Sequence, residues 1–497
     1  MSKSPKLLFI GLDSAEPTLL DRWGNEGLLP NIKSFQDSSA WTPIKTPPGF
    51  GNGVMWPSLL TGVNAGRHGR YFINQIRPGS YKQFLFSEDT DLKYKPFWDA
   101  LSNAGKRVAI IDMVRTSLIE GLNGIQVADW TAHDRSGEAR SWPPELIDEI
   151  EAKFGKDPFQ GCSEVKHDRS GEEYKVVRDN MLERIEMKTK MSCEYLKQDD
   201  WDLFVTVYAD PHDVGHQCWH LHDANDLDHD SAWVKQHGDP VKDIYIAIDK
   251  AVGTLLEQVG PETTVVLFTG PGMGPNYTGN FVLEKILRKL EGRPGKFGIP
   301  TPLIRKLPKA FQRPLFDVNI ALMEYERSTR KAFAVVHNHN SGAIRINLAG
   351  REPKGKIKPG QELDRYIADL TKDLMAITDV HTGEPLVDEV IRISDSYHGE
   401  NLDMLPDLLV VWKREKPITA IHSPKIGELD GPFRTTRSGD HTPRAVFMVR
   451  GEGIEAGEKD AVPVENIAPT ITSMLGVTLD NIDGEPLEIY KEVALKK

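Results

Sequence analysis

The chain has 497 residues, of which 39% are hydrophobic and 27% are charged, and its formal net charge is −12. This composition is that of an ordinary folded protein and excludes a largely disordered chain. The acidic excess argues against binding to nucleic acid or to an anionic membrane, because both need surplus Lys and Arg to neutralise phosphates. We therefore predict neither a nucleic-acid partner nor a membrane partner. The sequence leaves the oligomeric state open.

The cysteines and the apolar runs exclude further classes of protein. The three cysteines are scattered and form no CxxC pair, which excludes a zinc ribbon and a disulfide framework. The first apolar run, residues 7–10, is too short for the core of a signal peptide. No run of eighteen apolar residues occurs, so the sequence predicts no membrane span. The simplest expectation is a cytoplasmic protein.

Strand and helix patterns alternate along the chain. Runs of apolar and β-branched residues predict strands at 6–13, 106–114, 202–210 and 263–269. Helical patterns lie between them at 16–35, 97–105, 174–198 and 243–259. This alternation predicts an α/β fold, a three-layer sandwich with a central, mainly parallel sheet. Ligands of such sheets bind beyond the carboxyl ends of the strands, where Asp13, Asp210 and Gly270 lie.

A single domain covering residues 1–497 is the simplest reading of the chain length, because large α/β units accommodate insertions. Residues 284–335 are basic and contain several prolines, and we predict that they form an insertion or cap within this domain. They are expected either to cover an edge of the sheet or to contact substrate. The plainer alternative is that their Lys and Arg side chains form a solvated face.

The segment "DPHDVGHQCWHLHD", residues 210–223, is the strongest candidate for chemistry. It holds four of the fifteen histidines directly after a predicted strand. His212 and His216 share one face if a helical turn begins there, and imidazole with carboxylate is a ligand set for Zn²⁺, Mn²⁺ or Fe²⁺. We predict a metal site here. The alternative is a surface loop with solvated histidines, one of them buried beside Trp219.

Two further polar positions lie beside predicted strands. Asp440 and His441 precede the strand-like run at 445–451, and Asp13 follows the first strand. Each has a plainer explanation, because Asp and Gly favour turns and an Asp at this place often caps a helix.

Taken in order, these segments resemble the alkaline phosphatase superfamily, and within it the type I phosphodiesterase and nucleotide pyrophosphatase branch. The resemblance spans almost the whole chain. It is carried by "FIGLDSAEP" at 9–17, "WPSLLTGVNAGRHGRYF" at 56–72, "DPHDVGH" at 210–216, "GAIRINLAGREPKG" at 342–355, "GDHTP" at 439–443 and "NIAPTITSMLGV" at 466–477. It implies an alkaline phosphatase-like core with inserted segments, and metal-dependent chemistry on phosphate esters.

The chain departs from the pattern of that family at three places, the first of which covers two residues. Where the family reads S-D-H-G-M and binds one of two metal ions, this chain has Gly270 and Pro271, which offer no side-chain ligand. The position of the family's Thr or Ser nucleophile falls on Asn52, whose carboxamide is able to orient an anion but not to attack phosphorus. His212 stands where the family has an Asp ligand.

The resemblance therefore implies a remodelled site with one divalent transition metal, Zn²⁺ by preference and Mn²⁺ or Fe²⁺ as alternatives. The implied ligands are His212, His216 and His441 with a carboxylate from Asp210 or Asp213, and Asp13 remains from the other ion's site. The general base is expected to be Asp13 or Asp210. The substrate anion is expected to be held by Asn52, Arg67 or His68.

Two functions follow from this site. The first is an atypical hydrolase or transferase acting on a phosphoester, a phosphodiester or a related small anion, without a Thr or Ser nucleophile. The second is a non-catalytic binding or regulatory protein that kept the fold. The empty Gly270–Pro271 loop favours the second, whereas the concentration of histidines at strand ends favours the first.

Overall fold

The computed structural model describes residues 5–87, 90–132, 138–159, 169–294, 301–338, 341–430 and 437–488. Within these ranges the side chains of residues 52, 301, 302, 310 and 430 lie outside the description.

The described residues form 21 strands. The strands of the first half are β1 (Leu7–Leu12), β2 (Ala40–Lys45), β3 (Asn74–Ile76), β4 (Gln83–Leu85), β5 (Val108–Ile111), β6 (Gly124–Ala128), β7 (Arg140–Trp142), β8 (Leu203–Tyr208), β9 (Thr264–Phe268) and β10 (Gly272–Pro275). Those of the second half are β11 (Ala332–Val335), β12 (Ser341–Ile346), β13 (Thr378–Asp379), β14 (Val387–Arg392), β15 (Leu408–Trp412), β16 (Ala420–Ser423), β17 (Gly427–Asp430), β18 (Gly439–Thr442), β19 (Val446–Arg450), β20 (Gly457–Glu458) and β21 (Val462–Pro463).

The same residues form 16 α-helices. They are α1 (Pro17–Asn25), α2 (Pro30–Asp37), α3 (Asn52–Thr61), α4 (Ala65–His68), α5 (Phe97–Asn103), α6 (Leu146–Phe154), α7 (Gly171–Leu196), α8 (Asp210–His222), α9 (Ser231–His237), α10 (Pro240–Leu256), α11 (Asn280–Leu290), α12 (Thr301–Arg305), α13 (Lys309–Thr329), α14 (Gln361–Met375), α15 (Ile393–Ser396) and α16 (Ile467–Met474). Two short 3₁₀ helices lie at Leu402–Met404 and Val464–Asn466.

The central sheet has the strand order β20-β2-β19-β9-β1-β8-β5-β6-β7, with β21 paired to β2. Its five middle strands, β9, β1, β8, β5 and β6, are parallel to one another. Their carboxyl ends therefore meet at one edge, which brings together the residues after β1, β8 and β9. Strand β19 is antiparallel to β9, so the segment that enters β19 arrives at the same edge.

Helices cover both faces of this sheet. All six residues of β1 are buried, because a parallel strand in the middle of a covered sheet has no solvent-facing side. Leu8, Ile10 and Leu12 pack into one core with residues of α7, α8 and α10. Leu7 and Phe9 point to the opposite face and pack with residues of α3, α5 and α16. The predicted α/β sandwich with a mainly parallel central sheet is confirmed.

A second, four-stranded antiparallel sheet lies in the chain between β9 and β19 of the central sheet, with the order β11-β12-β15-β14. Its core includes residues of α11 and α14 and is separate from the cores of the central sheet. The segment 284–335 contributes most of α11, the helices α12 and α13, and strand β11 to this region. The single-domain assignment, with 284–335 as an insertion, stays a prediction.

Candidate metal centre

Three buried histidines converge at the carboxyl edge of the central sheet. His212 and His216 lie one turn apart on α8, which begins directly after β8, so both rings project from one face of the helix. His441 lies on β18, which pairs with β10 beside that face. The ring centroids of His212 and His216 are 4.3 Å apart, and those of His216 and His441 are 4.9 Å apart. One ligand atom from each ring lies within 4.8 Å of the others.

Each ring has its Nδ1 atom next to an oxygen outside the cluster. Nδ1 of His216 donates to the carbonyl oxygen of Gly439 at 2.8 Å. Nδ1 of His441 lies 3.2 Å from Oγ of Ser14, and Nδ1 of His212 lies 3.5 Å from Oδ1 of Asp213. With Nδ1 engaged in this way, Nε2 is the atom that each ring offers to a ligand. The Nε2 atoms of His212 and His216 are only 3.1 Å apart.

This donor set fits one divalent transition metal ion. Three imidazoles whose ligand atoms converge, with their Nδ1 atoms beside oxygens, form the ligand arrangement typical of a three-histidine zinc site. Burial is the main cause that lowers the pKa of His216 well below its usual value, and Arg437 and the two neighbouring histidines act in the same direction. His216 is therefore neutral near pH 7 and has its lone pair available.

The close approach of α8 and β18 depends on glycine. A Cβ atom at Gly439 would overlap the carbonyl oxygen of Gly215 on α8. Without a side chain at position 439, the backbone carbonyl comes near enough to accept from His216, and the N–H of Ser438 donates to the carbonyl of His216 at 2.9 Å. Any larger residue at 439 would separate the two elements that carry the cluster.

Asp210 and Asp213 are held by an arginine of α7. Nε of Arg184 donates to Oδ1 of Asp210 at 2.7 Å, and its Nη2 donates to Oδ2 of Asp213 at 2.6 Å. The sequence led us to expect one of these carboxylates as a metal ligand and Asp210 as a general base. The structure instead places both in a buried ion pair with Arg184, and neither belongs to the group of converging ligand atoms. Asp213 contacts the cluster through Nδ1 of His212.

Asp13 lies at the end of β1, buried beside the Gly270–Pro271 loop. Its Oδ1 atom accepts from Nε1 of Trp56 at 3.0 Å and from Oγ of Ser14 at 3.3 Å. A Cβ at Gly270 would lie 3.3 Å from the same oxygen, and Gly270 has a left-handed φ of 62° that favours glycine. Asp13 is not a member of the three-histidine group. In the part of the chain that the structure describes, the three histidines are the one group of three or more His, Cys, Asp or Glu side chains that converges.

The predicted substrate-binding residues lie on α3 and α4. Asn52 begins α3, but its side chain lies outside the described residues. Nη1 of Arg67 donates to Oδ1 of Asp483 at 2.8 Å, so its charge is paired with the C-terminal segment. Nδ1 of His68 accepts from the N–H of Arg70, and its Nε2 lies 3.2 Å from Oγ of Ser58. Burial and the nearby Arg70 lower the pKa of His68 to about 3, so this ring is neutral and carries no charge for an anion.

Arg437 and Ser14 contact the histidines, and neither was predicted from the sequence to be a site residue. Nη1 of Arg437 lies 3.3 Å from Nε2 of His216. Arg437 lies four residues before His441, and this closeness in the sequence could have identified it as a candidate site residue. Ser14 carried no such signal, because its contact with His441 joins opposite ends of the chain.

Comparison with known proteins agrees with this architecture. Residues 7–439 match the model of the family described as type I phosphodiesterase / nucleotide pyrophosphatase. The chain belongs to this family. The resemblance seen in the sequence is thereby confirmed, while the altered nucleophile position stays a prediction. Among curated proteins, no relative matches by sequence.

The solved structures that resemble the chain are distant from it in sequence. Phosphonoacetate hydrolase from Sinorhizobium meliloti 1021, in complex with phosphonoacetate, has a TM-score of 0.54 and 15% identity over 94% of each chain. Its complex with phosphonoformate gives a TM-score of 0.52 and 16% identity over 94% of each chain. Murine ectonucleotide pyrophosphatase / phosphodiesterase 5 has a TM-score of 0.49 and 13% identity over 97% of each chain. Among the described residues, no helix is both long enough and apolar enough to cross a membrane.

Proposed function

We propose that the chain is a metal-dependent hydrolase of phosphoesters, phosphodiesters or related small anions that works with one metal ion. The observation that best supports this proposal is that His212, His216 and His441 converge in a chain that belongs to a family of phosphodiesterases. In this proposal the three histidines hold the ion, with Zn²⁺ preferred and Mn²⁺ or Fe²⁺ as alternatives. When bound, such an ion lowers the pKa of a coordinated water and stabilises negative charge on a phosphoryl oxygen.

The residues of the chain provide orientation and charge. Gly439, Asp213 and Ser14 orient the three rings through Nδ1, which keeps the lone pairs on Nε2 directed to one point. The rings are at most 3% exposed, so bulk water is largely excluded and electrostatic interactions are strengthened. In the proposed reaction, water adds to phosphorus, the bond between phosphorus and the ester oxygen breaks, and the alcohol leaves with a proton.

Arg437 is the proposed binding residue for the substrate anion. Its guanidinium lies against Nε2 of His216, and the residue is only half-buried, whereas the histidines are buried. A guanidinium presents paired donors that match phosphate oxygens. The ligands of the phosphonoacetate hydrolase structures are likewise small anions. Arg67 and His68 are left out of this role, because one is paired with Asp483 and the other is neutral.

The test is elemental analysis of protein purified without chelators, with turnover of phenyl phosphate and bis(phenyl) phosphate as a second measurement. We expect about one equivalent of a transition metal per chain, as three-histidine sites bind. His216→Ala should lose both the metal and the turnover. The matched control is His220→Ala, which changes a buried histidine one turn further along α8 and should keep the metal.

Other outcomes would contradict the proposal in different ways. Two equivalents of metal would show that ligands outside the three-histidine group bind a second ion. No metal, even after incubation with Zn²⁺, Mn²⁺ or Fe²⁺, would favour the non-catalytic binding protein. Metal that persists in His216→Ala would place the ion elsewhere.

A further inference from the structure

Ser14 has a backbone conformation that serines rarely adopt. It follows Asp13 at the end of β1 with a φ of 61°, in the left-handed region. An L side chain in this region is strained by contact between Cβ and the following carbonyl, whereas glycine is not. Strained positions of this kind persist where the surrounding structure holds them, and they cluster at functional sites. The side chain of Ser14 therefore requires an explanation.

The hydroxyl of Ser14 connects a carboxylate to a ring of the metal centre. Its Oγ atom lies 3.2 Å from Nδ1 of His441 and 3.3 Å from Oδ1 of Asp13, and the residue is fully buried. A hydroxyl has one donor and two acceptor positions. When His441 offers Nε2 to an ion, its Nδ1 carries the proton and donates to Ser14, and the hydroxyl of Ser14 donates to Asp13.

Asp13 is itself fixed from two sides. Nε1 of Trp56 donates to the same Oδ1 atom at 3.0 Å, and the backbone N–H of Asp13 donates to the carbonyl of Tyr208 at 2.9 Å. Trp56 of α3 thus fixes the carboxylate, and β8 fixes the backbone that carries it. The result is a fixed row of carboxylate, hydroxyl and imidazole.

We propose that Ser14 is a positioning residue that holds His441 in its ligand orientation and couples the ring to the negative charge of Asp13. This inference rests on the proposed function, because it requires the three histidines to bind an ion. It gives Asp13 an indirect role in metal binding, through His441. The neighbouring residues Gly270 and Pro271 supply no side-chain ligands for a metal. Hydrogen-bond partners of metal-binding histidines commonly change metal affinity by 10–100-fold.

The experiment compares Ser14→Gly and Ser14→Ala, measured for metal affinity by competition with a chromophoric chelator. Both variants lose the hydroxyl, so we expect both to bind Zn²⁺ about 10–100-fold more weakly than the unchanged protein. The metal-free forms are then unfolded in urea. Ser14→Gly should be more stable than Ser14→Ala, because both lose the hydroxyl but only glycine adopts φ of 61° without strain. Equal losses of metal affinity in two variants of different stability separate positioning by the hydroxyl from a general structural role.

Two further variants sharpen the result. Ser58→Ala removes another buried serine that contacts a histidine, His68 at 3.2 Å, and should leave metal affinity unchanged. Asp13→Asn should weaken metal binding, and its effect should not add to that of Ser14→Ala, because both act through the same hydrogen bonds. Independent, fully additive effects of Asp13 and Ser14 would contradict the coupling.

The failure of this inference differs from the failure of the proposed function. Unchanged Zn²⁺ affinity in both Ser14 variants, beside lost affinity in His216→Ala, would overturn only the role of Ser14. Absence of metal binding by the unchanged protein would overturn both.

Discussion

The charge of Arg437 bears directly on the kind of ligand that we propose for the site. Its Nη1 atom lies 3.3 Å from Nε2 of His216, the nitrogen that faces the point of convergence. A cation at this position repels a cationic substrate and attracts an anion. A bound anion would also place its charge between the guanidinium and the ion, where both attract it.

We predict that Arg437→Gln keeps the metal but lowers kcat/KM for phenyl phosphate by about 10–100-fold, the effect of one lost hydrogen bond to a charged group. Most of the loss is expected in KM, because the residue binds the anion before reaction. Steady-state kinetics and elemental analysis check this. Arg437→Lys keeps the charge but not the paired donors. Its kcat/KM should lie between those of the unchanged protein and Arg437→Gln. A loss of metal would mean that Arg437 supports the cluster, and unchanged kinetics would contradict its role in binding.

Helix α8 is held between its neighbours by charge on one side and by backbone contact on the other. On the α7 side, burial opposes the charge of Arg184, but Asp210 and Asp213 outweigh it and raise the pKa of the guanidinium above its usual value. On the other side, Gly439 of β18 accepts from His216. The orientation of α8, and with it the two histidines, therefore depends on both contacts.

Arg184→Met should destabilise the fold by about 3–5 kcal/mol, because it leaves two buried carboxylates without their partner. The free energy of unfolding in urea measures this effect. The matched control on the same helix is Arg178→Met, whose pairing with Asp179 and Asp243 is closer to the surface. That change should cost about 1 kcal/mol or less. Equal losses of unfolding free energy in the two variants would show that the ion pairs of Arg184 with α8 stabilise the fold no more than the ion pairs of Arg178.

Over the whole molecule, the three-histidine group joins segments that are far apart in the chain. His212 and His216 follow β8 in the middle of the sheet, whereas His441 precedes β19, which pairs with β9. An ion bound to all three connects these parts only in the folded state. Binding that is specific to the folded state stabilises it by mass action.

We predict that removal of the metal with a chelator lowers the thermal midpoint of unfolding, and that stoichiometric Zn²⁺ restores it. At free metal about 100 times the dissociation constant, the stabilisation is about 2.7 kcal/mol. Differential scanning calorimetry with and without chelator measures it. His216→Ala should unfold at the same temperature in both conditions. A chelator effect of equal size in that variant would place the stabilising ion outside the three-histidine site.

The fold followed from local patterns. Apolar strands that alternate with amphipathic helices predict a covered parallel sheet, and the carboxyl ends of β1, β8 and β9 meet at one edge as expected. The spacing of His212 and His216 was also readable, because residues one turn apart share a face once a helix begins after the strand. These inferences needed only the periodicity of short segments.

The periodicity of short segments did not predict which charged side chains pair with one another. Asp210 stands beside the histidines in the sequence, and the family resemblance made it a ligand, yet Arg184 of α7 holds its carboxylate. Likewise, nothing in the sequence connects Ser14 with His441 or Trp56 with Asp13. Such contacts join residues from separate elements, and their geometry depends on how helices and strands pack.

Local sequence thus determined the element types, the mainly parallel sheet and the histidine-bearing helix, because hydrophobic periodicity and helical spacing act over a few residues. Tertiary structure decided which polar side chains bind one another. Each buried carboxylate and imidazole must find a partner in the packed interior, and the available partners come from distant parts of the chain.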